Sequence, residues 1–256
     1  MTSTPYRYPT WGMVPMPRAA DSGKIVSMVR HIMWDMGGTL FDTYADVDAC
    51  LLNHVRSRGR GRGETIDGVA RLTRVSTAHA ISVLAARHHI PESELRTAVA
   101  DLKKRWEHVP PPLMDGAVEV LDAVHRAGGL NLVITHRDRE SAELLIRMHG
   151  LTQIDDMMCA PDGYARKPDP AMYNAMVERH RLDRAQCLSV GDRPIDVEAS
   201  LAARISGALL DNPHRNPPKA YYPWCGLDAL AKSTQPCVVS IARLRDLVPL
   251  FSAALR

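Results

Sequence analysis

The sequence predicts an α/β protein in which a doubly wound parallel sheet carries an inserted block of helices. Beyond residue 112, short apolar segments alternate with helix-length amphipathic segments, which is the order of a parallel sheet covered by helices on both faces. Between about residues 45 and 109 the apolar spacing is helical throughout. The 256 residues, 45% of them hydrophobic, are enough for one sizeable core or for a core with an insertion.

Charge and cysteine content narrow the class of protein. The formal charge of +3 is too mild to indicate a nucleic-acid-binding protein. No apolar run approaches the ~18 residues that a membrane helix needs, and the N-terminus lacks the apolar region of a secretory signal. The five cysteines show no metal-binding spacing, so we expect reduced thiols in a cytoplasmic protein.

The first element is the apolar run at residues 31–34, which ends in Asp35 and is followed closely by Gly37, Gly38 and Thr39. The run indicates a buried strand, and the glycines allow a tight turn. Open α/β sheets bind ligands at the carboxyl ends of their strands, and the N–H groups of a Gly-rich turn suit phosphate. A carboxylate beside a phosphate requires a cation between them or is itself the nucleophile. The simpler alternative is an Asp that caps the next turn.

The block at residues 45–109 reads as four helices, closed off by the three prolines at 110–112. Apolar residues at helical spacing indicate the first two helices, and Pro91 marks the first turn of the fourth. The apolar faces consist of Val47, Leu51, Leu52 and Val55 in the first helix and of Val69, Leu72 and Val75 in the second. The third and fourth helices span about residues 76–88 and 91–106.

A basic loop, residues 56–63, separates the first two helices. It contains a GxGxG string, but it follows a helix rather than a strand, so a dinucleotide fingerprint is not indicated. A solvated loop is the simplest interpretation, and contact with an anionic substrate or partner is the alternative.

The α/β half starts with a helix from about Asp115 to the glycines at 128–129. Strands are predicted at 130–135, 154–159, 187–190, 207–210 and 237–240. The remaining helices are predicted at 138–149, from Asp169-Pro170 onwards, in a segment that runs through residue 203, and in a last segment that ends at residue 255. The Pro-rich stretch at 212–226 predicts a long loop, and the first 27 residues a flexible or loosely docked extension.

Four short motifs fall at the ends of these elements: DMGGT at 35–39, LVIT at 132–135, KPDP at 167–170 and GDRPID at 191–196. Each is weak alone. In this order and spacing they resemble the haloacid dehalogenase (HAD) superfamily, in its phosphatase branch, over about residues 30–256. The resemblance implies a Rossmann-like core at 30–44 and 110–256, a type I helical cap at 45–109 and an extension at 1–29.

The resemblance also implies the chemistry. Asp35 would attack phosphorus and form an aspartyl phosphate, while Thr135 and Lys167 would stabilise the transferred group. Mg²⁺ would be the cofactor, because its preferred ligands are oxygens of carboxylates and phosphate. The implied ligands are Asp35, the carbonyl of Gly37, Asp192 and Asp196. For Asp196, the alternative role is to orient Lys167.

The cap implies a small phosphorylated substrate, since a lid excludes water and selects the part of the substrate beyond the phosphate. The candidate substrate-binding residues are Gly38, Thr39, His136, Arg137 and Arg193, and for the last three a surface or structural role is equally open. Asp42 is a candidate for a hinge or for a supporting position behind the site. The oligomeric state has no signal in the sequence.

One position departs from the family pattern. Its phosphatases usually carry a second Asp two residues after the nucleophile, as general acid and base, and here that residue is Gly37. General acid–base catalysis is typically worth ~10²–10⁴-fold. Another group such as His136 or Asp42 would supply the proton, or the substrate has a good leaving group. A phosphotransferase, or a non-catalytic protein that binds a phosphorylated ligand, is the alternative function.

Overall fold

The computed structural model describes residues 29–159, 162–211 and 222–252. Its strands are β1 (His31–Trp34), β2 (Asn131–Thr135), β3 (Asp156–Cys159), β4 (Cys187–Gly191), β5 (Ser206–Leu210) and β6 (Val238–Ile241). Within the described residues they form one six-stranded sheet in the order β3-β2-β1-β4-β5-β6, with every pair parallel. The strand order reverses direction at β1, and ligands bind at such points in open α/β sheets. The predicted fold class is confirmed.

The helices lie in the predicted segments, except for a short one at Leu227–Leu230 that was not predicted. They are α1 (Tyr44–Ser57), α2 (Ile66–Thr73), α3 (Thr77–His88), α4 (Glu92–Arg105), α5 (Ala117–Arg126), α6 (Arg139–Met148), α7 (Ala171–His180), α8 (Pro194–Ala202), α9 (Leu227–Leu230) and α10 (Pro249–Ser252). Side-chain caps begin several of them: the Ser76 hydroxyl accepts from the His79 N–H, and Asp138 accepts from the Ser141 N–H. Of the helices in the described ranges, none is long and apolar enough to cross a membrane.

Some boundaries differ from the prediction. The helix predicted to start from Asp169-Pro170 is α7; its N-cap is Pro170, so its first residue is Ala171, and the Asp169 side chain accepts from the Ala171 N–H at 2.9 Å. Val75 follows the end of α2 and is 62% exposed, so it does not continue the apolar face of that helix. A short 3₁₀ helix at Leu244–Leu247 and α10 replace the single C-terminal helix that was expected, as far as residue 252. The predicted N-terminal extension lies outside the described residues up to position 28.

The centre of the sheet is fixed by packing and by paired polar groups. Every residue of β1 and β2 is buried. The Trp34 ring is fully buried, and its Nε1 donates to Asn131 Oδ1 at 2.9 Å, while Asn131 Nδ2 donates to the Leu121 carbonyl at 3.0 Å. Buried polar groups that are satisfied in this way rigidify their surroundings. Asp35, which follows Trp34, is therefore attached to a rigid strand end.

The helical block, α1 to α4, packs on itself and on the sheet's core. One hydrophobic cluster contains Leu51, Leu84 and Leu95 of the block together with Trp34 and Val133 of the sheet. The division into a core and a separate cap at residues 45–109 stays a prediction.

The basic loop at 56–63 is bound to the helical block. Arg60 donates to the carbonyls of His88 and His89, at the end of α3. Arg56 donates to the Glu64 carbonyl at 3.1 Å. Cationic donors stabilise the unpaired carbonyls of a helix C-terminus. Part of the loop's charge is thus structural, and the loop is more than a solvated connection.

The expectation of five reduced cysteines is wrong for two of them. Cys225 and Cys237 form a disulfide, with Cα atoms 6.0 Å apart, while Cys50, Cys159 and Cys187 are free. The backbone around Cys225 runs beside the edge strand β6, with hydrogen bonds in both directions to Val238, and this brings the two thiols together. Sequence spacing alone does not show this pairing. The cysteine pattern therefore no longer supports a reducing compartment.

Candidate active site

The site lies where β1, β2 and β4 end. The N–H of Asp35, the first residue after β1, donates to the Val190 carbonyl of β4 at 2.9 Å. Thr135 is the last residue of β2, and Asp192 comes directly after β4. All three are buried, with exposed fractions of 1–3%. The carboxyl ends of these neighbouring parallel strands bring the residues together, as the sequence predicts.

Lys167 reaches this strand edge from the loop before α7. Its side chain is fully buried, and Nζ lies 2.6 Å from Asp35 Oδ1, 2.6 Å from Asp196 Oδ1 and 3.0 Å from the Ile134 carbonyl oxygen. These contacts use all three hydrogens of the ammonium group. Burial alone would lower the pKa of Lys167, but the negative charges of Asp196 and Asp35 outweigh it and raise that pKa above its usual range. The group is therefore a fixed cation beside the candidate nucleophile.

A carboxylate cluster faces this cation. Asp35, Asp192 and Asp196 are buried, and each offers an oxygen within 4.8 Å of the others. Burial, followed by the charges of Asp35 and Asp196, raises the pKa of Asp192 to about 6. Burial also raises the pKa of Asp35. Buried like charges that oppose one another are relieved by a bound cation, and an all-oxygen donor set suits a hard cation such as Mg²⁺. The residues present fit such an ion.

Asp196 is held differently from the other two. Its Oδ1 accepts from Lys167, and its Oδ2 accepts from the Arg193 N–H at 3.0 Å, at the start of α8. Burial alone would raise the pKa of Asp196, but Lys167 and Arg193 lower it below its usual value. A Cβ at Gly191 would overlap the Asp196 side chain, which explains the glycine that precedes Asp192. These contacts favour the role of orienting Lys167 over direct coordination of a metal.

The turn after β1 uses several of the groups that the sequence assigns to substrate. Gly38 has φ of +85°, and its N–H donates to the Phe41 carbonyl at 2.8 Å, so this N–H is already paired. Thr39 is fully buried, and its hydroxyl lies 3.5 Å from Asp192 Oδ1. Both residues therefore shape the turn and the cluster, and neither offers its predicted group openly to a phosphoryl oxygen.

The position of the missing acid lies beside Thr43. Gly37 is not among the residues with positive φ, and a Cβ built on it would lie 3.2 Å from Thr43 Oγ1. Thr43 is buried and precedes α1. Neither Thr43 nor its neighbour Tyr44 was predicted as a site residue. No signal in the sequence places them at the site, because their approach depends on how the chain leaves the turn.

The other candidates mostly serve the structure of the site. Thr135 Oγ1 accepts from the Arg137 N–H at 3.1 Å, and His136 Nε2 accepts from the Lys167 N–H at 2.8 Å. The Arg137 side chain donates to Ser141 Oγ at 2.9 Å, and its Cζ lies 5.3 Å from the centroid of the Trp106 ring, in the helical block. Arg137 thus links the block to the core.

Arg193 and Asp42 remain at the margin of the site. Arg193 Nε is buried and has no hydrogen-bond partner among the described residues. Burial alone would lower the pKa of Arg193, but the negative charges of Asp35 and Asp196 raise it, so the side chain stays cationic. The Asp42 N–H donates to the Pro112 carbonyl at 2.8 Å, where the helical block joins the core. Arg193 therefore keeps an unpaired donor, and the roles of Arg193 in substrate binding and of Asp42 as a hinge or supporting residue stay predictions.

The placement of His136 predicts a pH dependence of stability. Burial, with the positive charges of Lys167, Arg193 and Arg166, lowers the pKa of His136 from 6.5 to about 4. Between these values the unfolded chain binds a proton that the folded chain refuses, so the free energy of unfolding falls as the pH drops from 6.5 to 4. In His136→Gln, which keeps an acceptor for the Lys167 N–H, we expect a smaller fall. Urea denaturation at pH 7 and 4.5 measures it, and parallel losses in both proteins would refute it.

The chain is similar in sequence to one protein family and to proteins named as phosphatases. The family model described as haloacid dehalogenase-like hydrolase matches residues 32–209. The N-acetylmuramic acid 6-phosphate phosphatase of Pseudomonas putida is 30% identical over 183 residues, which are 67% of this chain and 78% of that protein. The phosphoglycolate phosphatase of Aliivibrio fischeri is 23% identical over 184 residues, 68% of this chain and 81% of that protein.

Solved structures share the fold. A hydrolase from Streptococcus pneumoniae has a TM-score of 0.58 and 27% identity, covering 73% of this chain and 95% of its own. A HAD family hydrolase from Deinococcus radiodurans, with bound phosphate and sodium, has a TM-score of 0.67 and 20% identity, covering 90% of this chain and 98% of its own. The family match over most of the chain and the convergence of the four motifs lead to one conclusion: this protein is a member of the haloacid dehalogenase-like hydrolases.

Proposed function

We propose that this protein is a Mg²⁺-dependent phosphatase that hydrolyses a small phosphorylated metabolite through an aspartyl phosphate on Asp35. One observation carries the proposal: a buried ammonium group, Lys167 Nζ, lies 2.6 Å from one oxygen of Asp35, inside a cluster of buried carboxylates. That arrangement suits attack on a phosphoryl group, whose developing charge requires fixed positive groups nearby.

The contacts of Asp35 assign separate tasks to its two oxygens. Oδ1 accepts from Lys167, whereas Oδ2 accepts no hydrogen bond from the part of the chain that the structure describes. Oδ2 is therefore the attacking atom. As its bond to phosphorus forms, the bond from phosphorus to the ester oxygen breaks and the leaving oxygen keeps the electron pair. Water then attacks the phosphorus of the aspartyl phosphate, which releases inorganic phosphate and restores the Asp35 carboxylate.

The residues around Asp35 support each stage. Lys167 offsets charge on the phosphoryl oxygens, and Asp196 keeps Lys167 in place. The Thr135 hydroxyl accepts from a backbone N–H and retains its own proton for a phosphoryl oxygen. Asp35 and Asp192, with the Gly37 carbonyl that the family resemblance implies, would hold Mg²⁺. When bound, that ion supplies charge neutralisation and aligns the substrate oxygens.

The substrate class follows from the relatives and from the helical block. The relatives named above are phosphatases of phosphoglycolate and of N-acetylmuramic acid 6-phosphate, both small molecules. In this chain the block approaches the strand edge through Trp106 and Arg137, and such a lid restricts access. Gly37 restricts the substrate further, because the site has no general acid at this position. A substrate with a good leaving group needs less protonation and is therefore favoured. Acyl and anomeric phosphates belong to that group.

The test is phosphate release from a panel of sugar phosphates, short-acid phosphates and acetyl phosphate, with Mg²⁺ or with a chelator. Metal-dependent release from any of them supports the phosphatase. Activity confined to acetyl phosphate supports a limit set by Gly37. The non-catalytic alternative predicts no release together with tight, saturable binding of a phosphorylated compound in calorimetry, and that result would overturn the proposal.

A further inference from the structure

Tyr44, the first residue of α1, lies over the candidate site. Its hydroxyl donates to Asp192 Oδ2 at 2.7 Å. Its ring covers Gly38, where any Cβ would overlap Tyr44 Cε2. Burial and the neighbouring charge of Asp192 raise the pKa of Tyr44 well above its usual value, so the group is a neutral hydrogen-bond donor. One oxygen of the Asp192 carboxylate is thus held from the helical block.

A buried ion pair of the helical block holds the Tyr44 ring. Arg74 Cζ lies 3.8 Å from the ring centroid, within the distance of a cation–π contact. Arg74 NH1 lies 3.0 Å from Asp48 Oδ2, and the two side chains are only 9% and 4% exposed. The Thr73 hydroxyl donates to Asp48 Oδ1 at 2.5 Å. A chain of direct contacts therefore runs from α2 through α1 to Asp192.

We propose that Tyr44 is a positioning residue for the metal ligand Asp192, and that the Asp48–Arg74 pair fixes Tyr44 in this role. The inference rests on the cation site of the proposed function. By this arrangement the packing of the helical block sets the orientation of a carboxylate at the strand edge.

The chemistry of the contacts supports a role beyond packing. A Phe ring would fill the same space, and the hydroxyl adds one feature, its hydrogen bond to Asp192. A buried Arg–Asp pair is costly to desolvate and is weak evidence for stability. Here its guanidinium lies on the ring whose hydroxyl reaches the carboxylate. Hydrogen bonds that orient metal ligands are typically worth ~10–100-fold in metal affinity.

The first experiment measures Mn²⁺ binding by electron paramagnetic resonance in the full chain without substrate. We expect Tyr44→Phe to bind Mn²⁺ roughly 10–100-fold more weakly than the wild type, with an unchanged melting temperature. Tyr222→Phe is the matched control, because it removes a tyrosine hydrogen bond to a carboxylate, Glu198 Oε1 at 2.9 Å, outside the site. Equal affinity in wild type and Tyr44→Phe overturns the inference while the proposed function stands.

Asp192→Asn separates the two proposals. If the wild type binds Mn²⁺ no better than Asp192→Asn, the cation site itself is wrong, and both the proposed function and this inference fail. If the wild type binds well and Tyr44→Phe binds poorly, both stand.

The second experiment tests the chain of contacts from α2. The paired change Asp48→Asn with Arg74→Leu removes both buried charges together and leaves neither unpaired. We expect it to weaken Mn²⁺ binding about 3–10-fold in the wild-type background and to have no further effect together with Tyr44→Phe. Equal losses in the two backgrounds would show that the pair does not act through Tyr44, and would overturn that part of the inference.

Discussion

Asp35→Asn is expected to reduce phosphate release by more than about 10³-fold, because an amide cannot attack phosphorus as the carboxylate does. The fold should survive the change. Burial raises the pKa of Asp35, so the folded protein holds its negative charge at a disadvantage. Lys167 keeps Asp196 as a partner at 2.6 Å when Asp35 is replaced. We therefore expect the melting temperature of the variant to equal or exceed that of the wild type, which separates lost chemistry from lost structure.

The measurement is phosphate release with Mg²⁺, with labelled substrate quenched in acid to detect the phosphorylated protein. Asp155→Asn is the matched control. Asp155 lies just before β3, at the far end of the sheet, where its Oδ2 accepts from the Asn131 N–H at 2.7 Å. We expect it to keep turnover within about threefold, as is usual for a change remote from the chemistry. If Asp35→Asn retains more than a tenth of wild-type release with Mg²⁺ present, Asp35 is not the nucleophile.

The sequence pattern predicted the candidate site residues that lie at the ends of strands. Asp35, Thr135 and Asp192 each follow an apolar run, and parallel strands end at one edge of their sheet, so their proximity follows from local pattern and topology. Lys167 comes from a loop, and its approach to Asp35 followed from the family resemblance rather than from pattern. Lys167 lies 2.6 Å from both Asp35 and Asp196. The pKa of Asp35 is raised by burial, whereas that of Asp196 is lowered by Lys167 and by Arg193, whose N–H it also accepts.

The contacts that the sequence did not predict join residues that are far apart along the chain. Tyr44 and Arg74 are 30 positions apart and meet because α2 packs against α1. A tyrosine at the start of a helix carries no periodic signal for such a contact. His136 was a candidate for substrate binding, yet its ring accepts the Lys167 N–H, which only the folded loop brings near. The positions of side chains that support the site residues depend on tertiary packing. Hydrophobic periodicity identifies only which face of a helix or strand is buried.

Gly37→Asp is expected to raise kcat/KM for alkyl phosphates by ~10²-fold, since it restores a general acid beside the leaving oxygen. The backbone at Gly37 has no positive φ, so a side chain is not strained there. The new Cβ would meet Thr43 Oγ1 at 3.2 Å, and the hydroxyl needs to move by only a few tenths of an ångström. Release from alkyl phosphates and from acetyl phosphate measures the effect. Acetyl phosphate should gain little, because its leaving group needs no proton.

The electrostatics of the cluster favour this gain at neutral pH. Burial and two neighbouring carboxylates already raise the pKa of Asp192 to about 6. The pKa of a further carboxyl group beside them would be raised for the same reasons. The new group would then be protonated often enough to donate. Gly37→Asn is the control, because it has nearly the same volume and no transferable proton. If Asp and Asn at this position give the same rates, the wild-type site already contains its proton donor, and the Thr43 hydroxyl beside Gly37 becomes the first group to replace.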